Sequence, residues 1–297
     1  MEILDCIGNT PLVRLPRDFT LTEATVLLKL EEFNLGGSVK SRVGYQMVID
    51  AEQDGRIDIK HPEKVTILEA TGGNTGIGIA QICALRGYRC ILAVPDNYSK
   101  VRVSLLEDMG AEVVLSDHTI GNDSHIKKAF DLLKKHPDYV YMNQFKNPSN
   151  ITAHYLGTGQ EIILQSGVEV DFFVAGIGSG GTISGVGKAI KEKYPSCKVI
   201  GIQPTGCDVL NGIAVSHIIQ GIAIGMVPEI LDRSIVDEMI DINCEDVIEM
   251  KKRICKTLGL HLGFSSVANI IGAIQVAKKC DKNKTVVTIS PDGGRNY

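Results

Sequence analysis

Lys64-Val-Thr-Ile-Leu-Glu-Ala-Thr-Gly-Gly-Asn-Thr-Gly-Ile-Gly-Ile-Ala-Gln-Ile-Cys-Ala-Leu-Arg86 is the stretch on which the fold turns. The aliphatic and β-branched residues at 64–68 read as a buried strand, and the periodic apolar residues at 75–86 read as a helix. Between them lies a glycine-rich loop, 69–76. Strand, loop and helix in that order make half of a β-α-β unit, and the alternation continues in both directions. Further strands are expected at 25–30, 89–94, 112–115, 172–175, 198–202 and 285–289. Helices are expected at 38–54, 100–109, 123–135, 183–193, 245–258 and 269–278. This pattern predicts an α/β protein of mainly parallel sheets with helices on both faces. Folds of this kind bind ligands in the loops that leave the strands.

Composition narrows the class. A chain of 297 residues, 44% of them hydrophobic, has material for about two domains, and no repeat or low-complexity linker marks a boundary. The net charge of -4 and the mixing of both signs argue against a nucleic-acid partner. The pairs Lys127-Lys128 and Lys134-Lys135 lie at helical spacing and read as a solvated face. There is no charged-then-apolar leader and no apolar run near the ~18 residues of a membrane span, so a cytoplasmic protein is expected. Eight cysteines without a CxxC pair read as reduced thiols, and seven histidines without ligand spacing predict no metal site.

Four loops carry candidate chemistry. In Glu32-Phe-Asn-Leu-Gly-Gly-Ser-Val-Lys40-Ser-Arg42 a lysine stands at a helix start. The partial positive charge there disfavours an ammonium and suits an amine that attacks an aldehyde; the plain alternative is a surface lysine. Glu69-Ala-Thr-Gly-Gly-Asn-Thr-Gly76 offers backbone N–H groups, hydroxyls and an amide to a carboxylate or phosphate, or serves only tight packing. Ala175-Gly-Ile-Gly-Ser-Gly-Gly-Thr182 satisfies GxGxxG. The next strand, however, ends in Gln203-Pro204 rather than the acid that a dinucleotide ribose wants, so a compact phosphate monoester fits better. Gly263-Phe-Ser-Ser-Val-Ala268, taken alone, reads as a helix cap supplied by Ser265 or Ser266.

Together and in this order the loops resemble the fold-type-II pyridoxal-phosphate enzymes, and among them the cysteine synthase (O-acetylserine sulfhydrylase) and cystathionine β-synthase group. The resemblance runs nearly end to end: Ile7-Gly-Asn-Thr-Pro-Leu-Val13, then Gly-Gly-Ser-Val-Lys40, the 71–76 loop, the 178–182 loop and Ser290-Pro-Asp-Gly293. It implies a two-lobed, tryptophan-synthase-β-like fold, each lobe a mainly parallel twisted sheet flanked by helices. Residues 1–36 with 146–297 would form a larger cofactor-binding lobe, and residues 37–145 a smaller lobe that closes on the substrate.

The resemblance also implies roles. Lys40 would carry pyridoxal 5'-phosphate as an internal aldimine and move the substrate α-proton. Asn74 would bind the ring hydroxyl, Gly178, Ser179, Gly180, Gly181 and Thr182 the phosphate, and Ser265 the pyridine nitrogen. Thr71, Gly72, Asn74 and Thr75, with Gln144, would bind the substrate carboxylate, and the Gly221–Gly225 loop would border the entrance. A neutral serine at the ring nitrogen makes a weaker electron sink than a carboxylate would, which favours loss of a β-leaving group over transamination. The implied reaction is β-replacement through an aminoacrylate, on an activated serine or on cysteine, with sulfide or a thiol as acceptor and a homodimer as the active form. A sulfide-producing cysteine lyase and a lanthionine or cystathionine synthase share that path; a threonine dehydratase, a silent regulatory relative and a nicotinamide oxidoreductase fit less well. Departures from the group's usual pattern are Leu35 for Pro, Ser41 for Asp, Gly72 for Ser, Gln203 for Glu and Val267 for Gly, with a chain that stops at Gly294-Arg-Asn-Tyr297. They fall mainly on substrate contacts.

Overall fold

The computed structural model describes residues 2–121 and 123–294, so the chain end at 295–297 lies outside the described residues. Ten strands form: β1 (Leu12–Arg14), β2 (Thr25–Leu30), β3 (Thr66–Ala70), β4 (Arg89–Pro95), β5 (Ala111–Ser116), β6 (Val140–Tyr141), β7 (Phe172–Gly176), β8 (Lys198–Pro204), β9 (Glu238–Ile242) and β10 (Thr285–Ser290). The α-helices are α1 (Arg17–Thr20), α2 (Lys40–Gln53), α3 (Asn74–Arg86), α4 (Lys100–Asp108), α5 (Ser124–Lys135), α6 (Ser149–Ala153), α7 (Gln160–Ser166), α8 (Gly181–Lys193), α9 (Cys244–Leu258) and α10 (Phe264–Ala277). A π-helical turn, His154–Gly159, joins α6 to α7. The chain divides into two compact units, Met1–Ser38 with Asn150–Tyr297, and Val39–Ser149.

The first unit is built on a six-stranded sheet ordered β1-β2-β10-β7-β8-β9, parallel except for the antiparallel β1–β2 pair. All six residues of β10 are buried, as expected for a central parallel strand covered on both faces. α10 packs into the core of this unit with Val26, Leu28, Val174, Ile202 and Ile242. Helix α10 begins at Phe264, five residues before the expected start at 269, because Gly263 takes the cap position and the small residues 265–268 join the helix. Neither serine caps it. Ser266 Oγ instead donates to Asp292 O at 2.8 Å, which latches the Ser-Pro-Asp-Gly segment to the helix start. Lys29 on β2 is fully buried, but its ammonium is satisfied by Thr10 O (2.6 Å), Gln165 Oε1 (2.7 Å) and Glu161 Oε2 (2.7 Å).

The second unit carries a four-stranded parallel sheet ordered β5-β4-β3-β6. β3 starts at Thr66 rather than 64, because Pro62–Lys64 forms a 3-10 turn. Helices α2 and α3 approach each other at backbone distance. A Cβ at Gly44 would lie 2.5 Å from the Gly78 carbonyl carbon, and one at Gly78 would strike the Lys40 carbonyl oxygen. Gly44 and Gly78 stand four residues after the first residues of their helices, Lys40 and Asn74. The close contact therefore sets those two helix starts side by side.

An alanine in place of a helical glycine ordinarily gains about 1 kcal/mol. At Gly78 the added methyl meets backbone, which cannot move aside. Gly78→Ala is expected to lower the stability read from urea unfolding by about 1–3 kcal/mol, the cost of overpacking. A variant as stable as the parent would show that α2 yields freely.

Candidate active site

In the second unit Lys40 is the first residue of α2, and its amine is buried. Burial lowers its pKa to about 8, while the nearby Glu69 carboxylate pulls the other way. The direction is the one expected from the sequence, but loss of water, not the helix start, is its main cause. Glu69, the penultimate residue of β3, is buried as well; burial pushes its pKa up to about 8 against hydrogen bonds from the Gln144 and Asn143 backbone and the Gln144 side chain. Gln144 donates to Glu69 Oε1 from both its backbone N and its Nε2, at 3.4 Å. Glu69 Oε2 has no hydrogen-bond partner among the described residues. Sequence reading placed Glu69 in its loop and gave it no role; an acid two residues before Thr71 was the available signal.

The five residues expected at the substrate carboxylate come together. Thr71, Gly72, Asn74 and Thr75 share the β3–α3 turn, and Thr75 Oγ1 donates to Gln144 Oε1 at 2.7 Å. Thr71 Oγ1 accepts from Gly73 N at 3.2 Å, which shapes the turn. A Cβ at Gly72 would lie 2.5 Å from Val94 Cγ1 and 2.7 Å from Tyr98 Cδ1, so the Tyr98 ring fills the space a side chain at 72 would need.

In the first unit the β7–α8 turn holds Gly178, Ser179, Gly180, Gly181 and Thr182. Gly180 takes the left-handed conformation, φ 87°, and caps α8. The turn is packed from behind. A Cβ at Gly178 would strike Gly221 O, one at Gly181 the Asn150 side chain, and one at Gly180 would lie 2.9 Å from Leu231 Cβ. The Gly221–Gly225 loop thus braces the turn, and Ala223 N donates to Ile177 O at 2.9 Å. Asn150 Nδ2 donates to Ser179 Oγ at 3.0 Å, and His154 Nε2 lies 3.2 Å from Thr182 Oγ1. Neither Asn150 nor His154 was singled out in the sequence; their spacing of four along the chain was the only sign of them.

Ser265, in the first turn of α10, is buried, and its hydroxyl has no hydrogen-bond partner among the described residues. Glu32 lies beside Ser290 and Asp292, and burial raises its pKa to about 7. Of the departures, Val267 is buried in the hydrophobic core of the first unit. Gln203 spends its amide on Val209 N (3.0 Å) and Asp241 Oδ1 (2.9 Å). Asp96, Asp117 and His118 cluster on the surface, but Asp117 caps Thr119 N and Asp96 pairs with His118 at 2.6 Å.

These residues fit pyridoxal phosphate: a buried amine with its pKa drawn toward neutrality, a glycine turn with two hydroxyls at a helix start for the phosphate, and a buried neutral hydroxyl. The comparisons agree. A family model described as pyridoxal-phosphate dependent enzyme matches residues 3–292. A cysteine synthase of Staphylococcus aureus strain Mu50 is 41% identical over 298 residues, spanning all of this chain and 94% of that protein. An O-acetylserine sulfhydrylase isoform 3 from Entamoeba histolytica superposes with a TM-score of 0.93 at 39% identity, over 100% of this chain and 89% of that one. A hydrogen sulfide-producing enzyme from Fusobacterium nucleatum superposes with a TM-score of 0.92 at 36% identity, over 100% and 97%. With its α/β fold, its buried Lys40 and a family match along almost its whole length, the chain belongs to the pyridoxal-phosphate dependent enzymes.

Proposed function

We propose that this enzyme carries out β-replacement on an activated serine of the O-acetylserine kind or on cysteine, with sulfide or a thiol as acceptor, yielding cysteine or a related thioether amino acid. The observation that carries the reading is the 41% identity with a cysteine synthase along the entire chain. It acts in the cytoplasm as a homodimer. No described helix is long and apolar enough to cross a membrane.

Bound pyridoxal phosphate supplies an aldehyde for an amine and a conjugated ring that takes up the electron pair left when an α-proton departs. Lys40 Nζ would hold that aldehyde and, when its amine is free, would take the substrate α-proton. A pKa near 8 leaves a useful share of the amine unprotonated at neutral pH. Glu69 steadies the positive form of Lys40 and is a store for its proton. Asn74 holds the ring hydroxyl, Ser265 the ring nitrogen, and Gly178, Ser179, Gly180, Gly181 and Thr182 the phosphate. Thr71, Gly72, Asn74, Thr75 and Gln144 would hold the substrate carboxylate.

A second reading, net release of sulfide from cysteine, is favoured by the likeness to the Fusobacterium enzyme. The two differ in which substrate enters first. Mixing holoenzyme with O-acetylserine and, separately, with cysteine is expected to shift the cofactor's visible absorption with the true first substrate. Lys40→Ala is expected to abolish the borohydride-fixable link between cofactor and chain. No shift with either substrate would refute the substrate class, and a persisting link would move the attachment elsewhere.

Gly72→Ser restores a hydroxyl at the cost of a collision. It is expected to lower stability by about 1–3 kcal/mol and to raise KM more than it lowers kcat. Adding Tyr98→Ala should recover part of the stability, since the ring is one of two neighbours in the way. Urea unfolding and steady-state kinetics check both.

With the cofactor removed, the Lys40–Glu69 pair imposes a pH dependence. Glu69 has its pKa raised from 4.5 to about 8, so the folded chain holds a proton that the unfolded chain has lost, and stability falls from about pH 4.5 to 8. Lys40 has its pKa lowered from 10.5 to about 8, so the unfolded chain binds the extra proton and stability rises again between about 8 and 10.5. Urea midpoints across this range should show a minimum near pH 8, with a shallower acid limb in Glu69→Gln. A limb unchanged by that substitution would exclude Glu69 as its source.

A further inference from the structure

A hydroxyl has one proton to give. If its oxygen already accepts a hydrogen bond from the protein, that proton is left for a ligand; if it donates to the protein, an anion meets only lone pairs. A phosphate monoester needs the first arrangement at both hydroxyls of its turn, because its oxygens only accept. At Ser179, Asn150 Nδ2 donates to Oγ at 3.0 Å. Thr182 Oγ1 lies 3.2 Å from His154 Nε2, and the other ring nitrogen, Nδ1, lies 3.0 Å from Thr158 Oγ1. Both His154 and Thr158 are fully buried.

The framework around this relay is rigid. Asn150 lies on α6 and His154 opens the π turn that continues it. Gly181 and Gly185, four apart on α8, sit against them: a Cβ at Gly181 would strike the Asn150 side chain, and one at Gly185 would lie 2.7 Å from His154 Cβ. Neither helix can slide without collision, so the two donors stay in register with the two hydroxyls.

We infer that His154 is a positioning residue that sets the hydrogen-bond direction at Thr182: it carries a proton on Nε2 and gives it to Thr182 Oγ1, so that this hydroxyl donates outward to the cofactor phosphate. Thr158 donates to the bare Nδ1 and holds that tautomer. The inference rests on the assignment of residues 178–182 to the phosphate.

Long-range proton–nitrogen spectra of holoenzyme labelled in histidine, with the His154 signals identified by their loss in His154→Gln, should show Nε2 protonated and Nδ1 bare. A proton on Nδ1 alone overturns the inference. His154→Gln keeps an amide donor, and its cofactor dissociation constant should stay within about threefold of the parent. His154→Leu removes the donor; binding should weaken roughly tenfold or more, with a displaced phosphorus-31 resonance of the bound cofactor. Equal losses in the two variants would mean packing, not donation, and would overturn it. If His154→Leu does not fold, Thr158→Val serves instead: it should alter the His154 tautomer signal, and an unaltered signal overturns the relay. Thr182→Val separates this inference from the reading beneath it. Weakened binding there with an indifferent His154→Leu rejects the relay alone, whereas indifference of both rejects the phosphate assignment itself.

Discussion

Two ionisable groups, the Lys40 amine and the Glu69 carboxylate, share a place from which water is excluded, and much of the second unit is arranged around that cost. Removing a charge from water disfavours the charged form of either group, so the two pKa values are driven toward each other, both to about 8. A lone buried amine would simply lose its proton, and a lone buried acid would keep its own. Here the Glu69 carboxylate opposes the effect of burial on Lys40. That is a useful property for an amine that must alternately hold a cofactor and carry a proton. The glycine contact between α2 and α3 makes the pair possible, since it fixes the start of α2 against the helix that follows β3.

The first unit solves a different problem with the same residue. Its β7–α8 turn, proposed to hold the phosphate, has glycine at 178, 180 and 181 because those positions are pressed against Gly221, Leu231 and Asn150. Backbone amides and two hydroxyls are what remain to meet an anion. A charged side chain in the turn would bind a phosphate more strongly; oriented neutral donors bind it with fixed geometry and add no cation beside the reacting ring.

Seven of the ten strands and most helices were legible because the period of the apolar pattern changes cleanly along the chain; β1, β6 and β9 were not expected. β2 was read to the residue, and β4, β7, β8 and β10 to within two. What escaped was short, or made of residues whose propensity points elsewhere. β6 has only two residues, and the helical run from α6 through the π turn to α7 is punctuated by Asn, Gly and Thr, which periodicity does not register. α10 began early because small residues that look like a cap became the first turn of a buried helix. The site shows the same division. Residues that present backbone or a short polar group from a loop were visible as motifs; Glu69, Asn150 and His154 act from within β3 or a helix, and only contact reveals them.

The chemistry proposed for the enzyme depends finally on what is left uncharged. Under the proposed assignment Ser265 meets the ring nitrogen from the first turn of α10, where unpaired N–H groups leave partial positive charge. A pyridinium proton would sit against that field with no carboxylate to offset it, whereas a bare nitrogen can accept the hydroxyl's hydrogen bond. Helix end and hydroxyl therefore act in the same direction. On that assignment the ring would be a moderate electron sink, which favours loss of a β-substituent over transamination. The preference would then come from a helix terminus and one small neutral side chain.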